Sequence, residues 1–304
     1  MKEIVIVTAF FSLGGNKGRT DEKYLSYFKL WAKLKNRIIC YVESQTMKEK
    51  IEEFRNSIGL LQMTEIILID NVFSIDPKLH ESIKMATDNQ VLQTYFMHQG
   101  TPSHFNPNYN YIMLLKSWCC KDAASKEINK NSTIVWMDFG FNHGNNLLDS
   151  SSDFDYNWTY NFPDDKITIF SLRPFDNRPL FDIVFCGAAY ISGSPIAASA
   201  RLWEKLWKMM RSNMIHLNAC GLCDSDETIL IMCYRECPDL FNVIQTHWWG
   251  EGFWLCGGQH LSLVKPERRI EEKDKWFFKA AYKTLVENYV RRIEDYLNNQ
   301  FYML

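Results

Sequence analysis

Ile4-Val5-Ile6-Val7-Thr8-Ala9-Phe10 is a continuous, largely β-branched run, which suits a buried parallel strand better than an alternating, half-exposed one. Residues 12–21 then hold Gly14, Gly15 and Gly18 beside Asn16, Lys17 and Arg19, and Tyr24, Phe28, Trp31 and Leu34 follow at helical spacing. The pattern is strand, glycine-rich loop, helix. Strands are expected at 37–43 and 65–70 with a polar-faced helix at 47–58 between them, and this β-α-β-α-β order predicts a doubly wound α/β sheet. Pro77, Pro102 and Pro107 break residues 72–110 into loops with one short helix at 80–85. A helix is expected at 111–124 and a strand at 132–138, ending in Asp138. Further strands are expected at 166–172 and 183–192, and helices at 194–211 and 226–237. The texture changes after residue 260, where Phe278, Tyr282, Leu285, Tyr289, Ile293 and Tyr296 form one apolar helical face. We therefore expect a main domain over 1–260 and a C-terminal helical extension over 261–304.

The 304 residues carry 34 basic and 36 acidic side chains, a net charge of -2 and a pI near 6.4. Nucleic-acid binding domains usually lie above a pI of about 9, so nucleic acid is not an expected partner. Ten Trp within 14% aromatic residues exceed what core filling needs and point to ring faces that stack on flat or ring-shaped ligands. No apolar run nears the roughly 20 residues that cross a bilayer, and residues 4–11 are too short for a signal peptide. A cytoplasmic location is expected. The nine cysteines then read as reduced thiols, and Asn131-Ser132-Thr133 and Asn157-Trp158-Thr159 are not read as glycosylation sites.

In open α/β sheets ligands bind beyond the carboxyl ends of the strands, where Asp138 is expected to stand. In Val135-Trp136-Met137-Asp138-Phe139-Gly140 a carboxylate follows an apolar strand, and Gly140 lets a ligand approach the backbone. Carboxylate oxygen suits a hard divalent cation; the plainer alternative is a turn cap. The Asp-Phe-Gly triplet is not a kinase signature here, because the catalytic loop and strand lysine of that set are missing. In Thr246-His247-Trp248-Trp249-Gly250-Glu251-Gly252-Phe253-Trp254, His247 is a candidate metal ligand. Trp248, Trp249 and Trp254 are a candidate sugar-stacking, acceptor-side surface, although core-edge packing explains the same residues. Phe185-Cys186-Gly187-Ala188-Ala189-Tyr190-Ile191-Ser192-Gly193 has small residues where a strand would present bulk, which lets a ligand lie against the backbone or a helix pack closely, and Gly187 and Ala188 are candidate donor-side contacts. Asp226 and Glu227 open a helix, where carboxylates cap or serve as a general base. Cys220, Cys223, Cys233 and Cys237 have a zinc-like count, but the last pair falls on one helical face and buried free thiols are favoured.

Taken in order, Ile6-Val7-Thr8-Ala9-Phe10-Phe11, Leu115-Lys116-Ser117, Trp136-Met137-Asp138-Phe139-Gly140 and the Asp226-Glu227 helix start resemble the HtrL/YibB family over about residues 1–260. That family is found beside bacterial lipopolysaccharide and capsule genes and looks like a set of nucleotide-sugar-dependent glycosyltransferases of GT-A type. The resemblance implies a GT-A-like mixed sheet with flanking helices, and a sugar transferred from a nucleoside diphosphate to a glycan or lipid-linked acceptor. Thr8, Ala9 and Phe10 would line the nucleotide pocket, with Lys116 near the diphosphate; in the reaction expected from this, Lys116 or Arg19 would stabilise the departing diphosphate. Asp138 would replace the metal-binding Asp-x-Asp and hold Mn²⁺ or Mg²⁺. Because Gly140 stands at the second acidic position, His247 or water would complete the shell. Asp226 or Glu227 would deprotonate the acceptor in an inverting reaction, or steady the donor in a retaining one.

Two other classes fit the same residues: a metal-dependent nucleotidyltransferase or phosphohydrolase, and a non-catalytic carbohydrate-binding protein. The tail's apolar face admits docking on its own domain, pairing with a second copy, or peripheral contact with the inner membrane. Its basic residues Lys279, Lys283, Arg291 and Arg292 are nearly balanced by Glu287, Glu294 and Asp295, which favours packing over anionic lipid.

Overall fold

A computed structural model describes residues 2–13, 20–89, 106–127, 131–143, 147–149, 151–264, 286, 289 and 290. Its centre is a seven-stranded sheet: β1 (Glu3–Phe10), β2 (Arg37–Val42), β3 (Thr64–Leu68), β4 (Ser132–Trp136), β5 (Ile167–Ser171), β6 (Ile191–Ser199) and β7 (Phe241–Gln245). The strand order is β3-β2-β1-β4-β6-β5-β7. β1, β2, β3 and β4 run parallel to one another, β6 is antiparallel to both neighbours, and β7 is parallel to β5. The expected α/β class therefore holds, as a mixed seven-stranded sheet with flanking helices.

Seven helices of this unit matter here: α1 (Asp21–Trp31), α2 (Gln45–Ser57), α3 (Pro77–Thr87), α4 (Pro107–Glu127), α5 (Leu180–Cys186), α6 (Ala200–Ala219) and α7 (Asp226–Glu236). Their starts follow local chemistry. The Thr20 and Ser44 hydroxyls accept the third amides of α1 and α2, and the Asp76 carboxylate accepts the Leu79 amide of α3 with Pro77 beside it. β1 is buried on both faces. Val5 and Val7 pack with α3, α4, α6 and α7 in one core, while Ile4 and Ile6 pack with α1 and α2 in the other.

Two expected elements differ. The run Ile183-Val184-Phe185 was expected to be a strand, but it lies in α5, and Gly187 at φ +58 accepts the left-handed turn that ends the helix. The expected helix at 194–211 begins instead at Ala200, because Ile191–Ser199 is fully buried as β6 between β4 and β5. Its small residues fit a crowded central strand, so tertiary burial overrides local preference. β7 had no counterpart in the sequence reading. At the C-terminal side, Leu261 is buried in the core and Leu263 bridges Leu148. Beyond residue 264 the expected extension lies outside the described residues, apart from 286, 289 and 290. No described helix is long and apolar enough to cross a membrane.

Candidate active site

The Asp138 turn is built from its buried neighbour. Phe139 stacks on Phe28 with ring centroids 4.5 Å apart, and its carbonyl accepts the Trp31 indole N–H; burying such a ring contributes about 1.5–3 kcal/mol. With Phe139 drawn into the core, Asp138 is left at the strand end, 40% exposed. Its Oδ1 accepts the Trp136 indole N–H at 2.8 Å, and its amide donates to Ser194 Oγ at 2.9 Å.

α4 supplies the next wall. Tyr109, Ile112, Met113 and Lys116 recur at helical spacing and face a cavity of about 380 Å³ closed by Ala9, Phe10, Tyr24 and Asp138. A second cavity of about 370 Å³ shares Tyr109, Met113, Lys116, Asp138, Gly140 and His143 with the first, and adds Gly193, Ser225, Asp226, Glu227 and Trp249. Lys116 stands at the junction. Its Nζ lies 3.2 Å from Asp138 Oδ1 and 3.0 Å from Asp226 Oδ2. Gly193 lets these groups close up, because a methyl group there would meet Asp226 Oδ2 and Lys116 Nζ at 3.1 Å and Glu227 Oε1 at 3.3 Å.

Asp224 accepts the Ser225 amide and the Thr228 hydroxyl beside the start of α7, while the Asp226 carboxylate faces Lys116. Electrostatics then separate the roles. Burial opposes the charged form of Lys116, but Asp138, Asp226 and Glu227 outweigh it and hold the ammonium protonated above its ordinary range. Burial raises Asp226, offset in part by Lys116. Glu227 is raised further, by burial and then by the Asp226 charge. The carboxyl pair therefore retains a proton well above the usual carboxylate range, and the two titrate together.

Of the expected donor-side residues, Ala9, Phe10 and Lys116 line the first cavity. Thr8 does not. It is fully buried within β1, and the period of two turns it to the same face as Ile6. Gly187 and Ala188 line neither cavity, because they terminate α5. Arg19 lies outside the described residues. On the acceptor side, Trp249 lines the second cavity and is 42% exposed. Trp248 and Trp254 pack against the core instead, and the Trp254 indole donates to the Leu261 carbonyl. His247 also lines neither cavity; its Nδ1 lies 3.7 Å from Glu251, whose carboxylate accepts the amides of His247 and Trp248. Tyr109 was missed by the sequence reading, whereas Gly193 closes the small-residue run that it singled out. Tyr109 lies seven residues before Lys116, two turns along the same helical face, but the expected start at 111 excluded it.

The metal expectation does not fit these residues. His247 is committed to the Glu251 loop, and a Cβ at Gly140 would meet the Tyr24 ring at 3.0 Å, leaving little room for a second acid. Lys116 fills the space between Asp138 and Asp226. Among the described residues, no group of three or more His, Cys, Asp or Glu side chains is placed to hold a metal. The four clustered cysteines are free; Cys223 and Cys233 accept hydrogen bonds from Asn110 and Asn213.

The family described as "Bacterial protein of unknown function (HtrL_YibB)" matches residues 2–255. The chain belongs to the HtrL/YibB family. Protein HtrL of Escherichia coli (strain K12) is 27% identical over 267 residues, spanning 82% of this chain and 89% of that protein. The crystal structure of mouse xyloside xylosyltransferase 1, apo form, is similar at a TM-score of 0.43 with 12% identity, covering 80% of this chain and 85% of that one. At that score the likeness bears on neither the fold nor the chemistry of this HtrL/YibB member.

Proposed function

We propose that this chain is a glycosyltransferase that moves a sugar from a nucleoside-diphosphate sugar to a glycan or lipid-linked acceptor, on the cytoplasmic side, during assembly of a bacterial surface polysaccharide. One observation carries the reading: two cavities meet at Lys116 and Asp138, one largely aromatic and one lined by the Asp226-Glu227 pair. Each volume lies within the range of about 300–1,000 Å³ typical of small-molecule sites. The nucleotide occupies the first cavity, with its base against Phe10, Tyr24 and Tyr109; the acceptor sugar enters the second and stacks on Trp249.

As the bond from the sugar's anomeric carbon to the diphosphate oxygen breaks, negative charge grows on the leaving group and Lys116 faces it. In an inverting reaction the acceptor oxygen bonds to that carbon, while its proton passes to the ionised Asp226-Glu227 pair. The raised proton affinity of the pair makes it a stronger base than an ordinary carboxylate.

Thermal unfolding with UDP, GDP, CDP and their sugars tests this directly. One nucleotide series is expected to raise Tm, since a ligand at 100 times its Kd adds about 2.7 kcal/mol, and its sugar is expected to be released or transferred. Stabilisation by oligosaccharides alone, with none by nucleotides, would leave a carbohydrate-binding protein. Nucleotidyl transfer from a triphosphate would assign a different enzyme.

A further inference from the structure

Three carboxylates and one ammonium share the junction of the two cavities. The Lys116 side chain is 9% exposed and that of Asp226 3%, so their charges are settled mainly by each other rather than by water. A lysine in such a place is costly unless acids face it, and both Asp138 and Asp226 lie within ion-pair distance of Nζ. Divalent ions need several oxygens converging at about 2.0–2.6 Å. Here the nearest Asp138 and Asp226 oxygens converge on a nitrogen that has three donors and no lone pair to offer a cation. A metal entering beside it would meet an ammonium held charged in a poorly solvated pocket, where repulsion between like charges is strong.

Two further features agree. Asp138 Oδ1, the oxygen facing Lys116, also accepts the Trp136 indole N–H, so donors already surround it. Gly140 stands against the Tyr24 ring where the second acid of a metal-binding pair would be needed.

We propose that the Lys116 ammonium is the resident cation of this site, held by Asp138 and Asp226, and that a diphosphate is bound here without a divalent metal. The diphosphate half rests on the functional reading above. The assignment of Lys116 stands on its contacts alone.

The test uses the full chain and Mn²⁺, whose free and bound forms differ in electron paramagnetic resonance. Wild-type protein is expected to show no saturable Mn²⁺ uptake. Lys116→Met, which keeps the length and bulk of the chain, is expected to acquire uptake that the added Asp138→Asn change removes. In parallel, the affinity for UDP, GDP and CDP is measured in EDTA and in Mn²⁺. The nucleotide that binds is expected to bind equally well in both, and Lys116→Met to weaken it by about tenfold or more. Saturable Mn²⁺ uptake by wild type that is lost in Asp138→Asn would overturn the assignment, as would a folded Lys116→Met protein that takes no Mn²⁺. A tenfold gain in nucleotide affinity from Mn²⁺ would overturn the metal-free half. If none of the nucleotides binds, the glycosyltransferase reading fails, while the Mn²⁺ titration still decides the role of Lys116; should Lys116→Met not fold, the wild-type titration decides it.

Discussion

The Trp136 indole donates to Asp138 Oδ1 across 2.8 Å, so the last residue of β4 orients the carboxylate that follows it. Trp136→Phe keeps the buried ring and removes this donor. Hydrogen bonds to charged groups are worth about 1.5–3 kcal/mol, so kcat/KM is expected to fall roughly ten- to a hundredfold with little change in Tm. Equal losses in stability and rate would show that the indole serves the core alone.

On the proposed reaction, Glu227 and Asp226 are expected to set the pH dependence. Both carboxyls are raised, mainly by burial, and a base acts only when ionised, so activity is expected to climb with pH on a limb above the ordinary carboxylate range. Removing the negative neighbour in Asp138→Asn lowers the pair and moves the limb to lower pH; removing the positive neighbour in Lys116→Met moves it higher. Stability runs the other way. Groups raised in the folded state contribute stability that is complete below their unfolded values and is lost as pH rises through their folded values. Glu227→Gln is therefore expected to flatten the loss of Tm across that window while abolishing turnover. A rate limb at the same pH in Asp138→Asn, in Lys116→Met and in the wild type would remove the pair from the mechanism.

Gly193→Ala tests how closely the site is packed. The new methyl would stand 3.1–3.3 Å from Lys116, Asp226 and Glu227, pushing polar tips apart by a few tenths of an ångström. Turnover is expected to fall by at least about tenfold, or 1.4 kcal/mol, while the unfolding midpoint changes little. A variant with full activity would show that the spacing of these groups has no catalytic consequence.

Glu251→Gln addresses the tryptophan loop. The Glu251 carboxylate accepts two successive amides, those of His247 and Trp248, and so holds the turn that presents Trp249. Loss of the charge is expected to raise the acceptor KM and to speed hydrogen exchange at residues 247–250, leaving nucleotide affinity unchanged. An unchanged acceptor KM together with weakened nucleotide binding would reassign the loop to the donor side.

The fold was legible where burial on both faces leaves a continuous apolar signature, as at Ile4–Phe10 and Ile134–Met137. It was not legible at Ile191–Ser199, whose small residues resemble a helix start and whose strand character comes from lying between β4 and β5. Asp138, Asp226 and Glu227 could be singled out as acids at element ends, and Lys116 only through the resemblance to the HtrL/YibB family. Their convergence could not, because β6 crosses between β4 and β5 in the sheet and brings Gly193 to the cluster. The three neighbouring tryptophans look alike in sequence; packing alone separates Trp249 from Trp248 and Trp254.

The wall common to both cavities has a kinetic implication. Tyr109 and Met113 cannot move for an occupant on one side without changing the shape offered on the other. Any such adjustment makes the two occupancies thermodynamically reciprocal, so the factor by which a nucleotide alters acceptor affinity equals the factor by which an acceptor alters nucleotide affinity. On the proposed function, product inhibition patterns then become a readout of α4: a spent nucleotide and a lengthened glycan, bound in different places, would still report on each other.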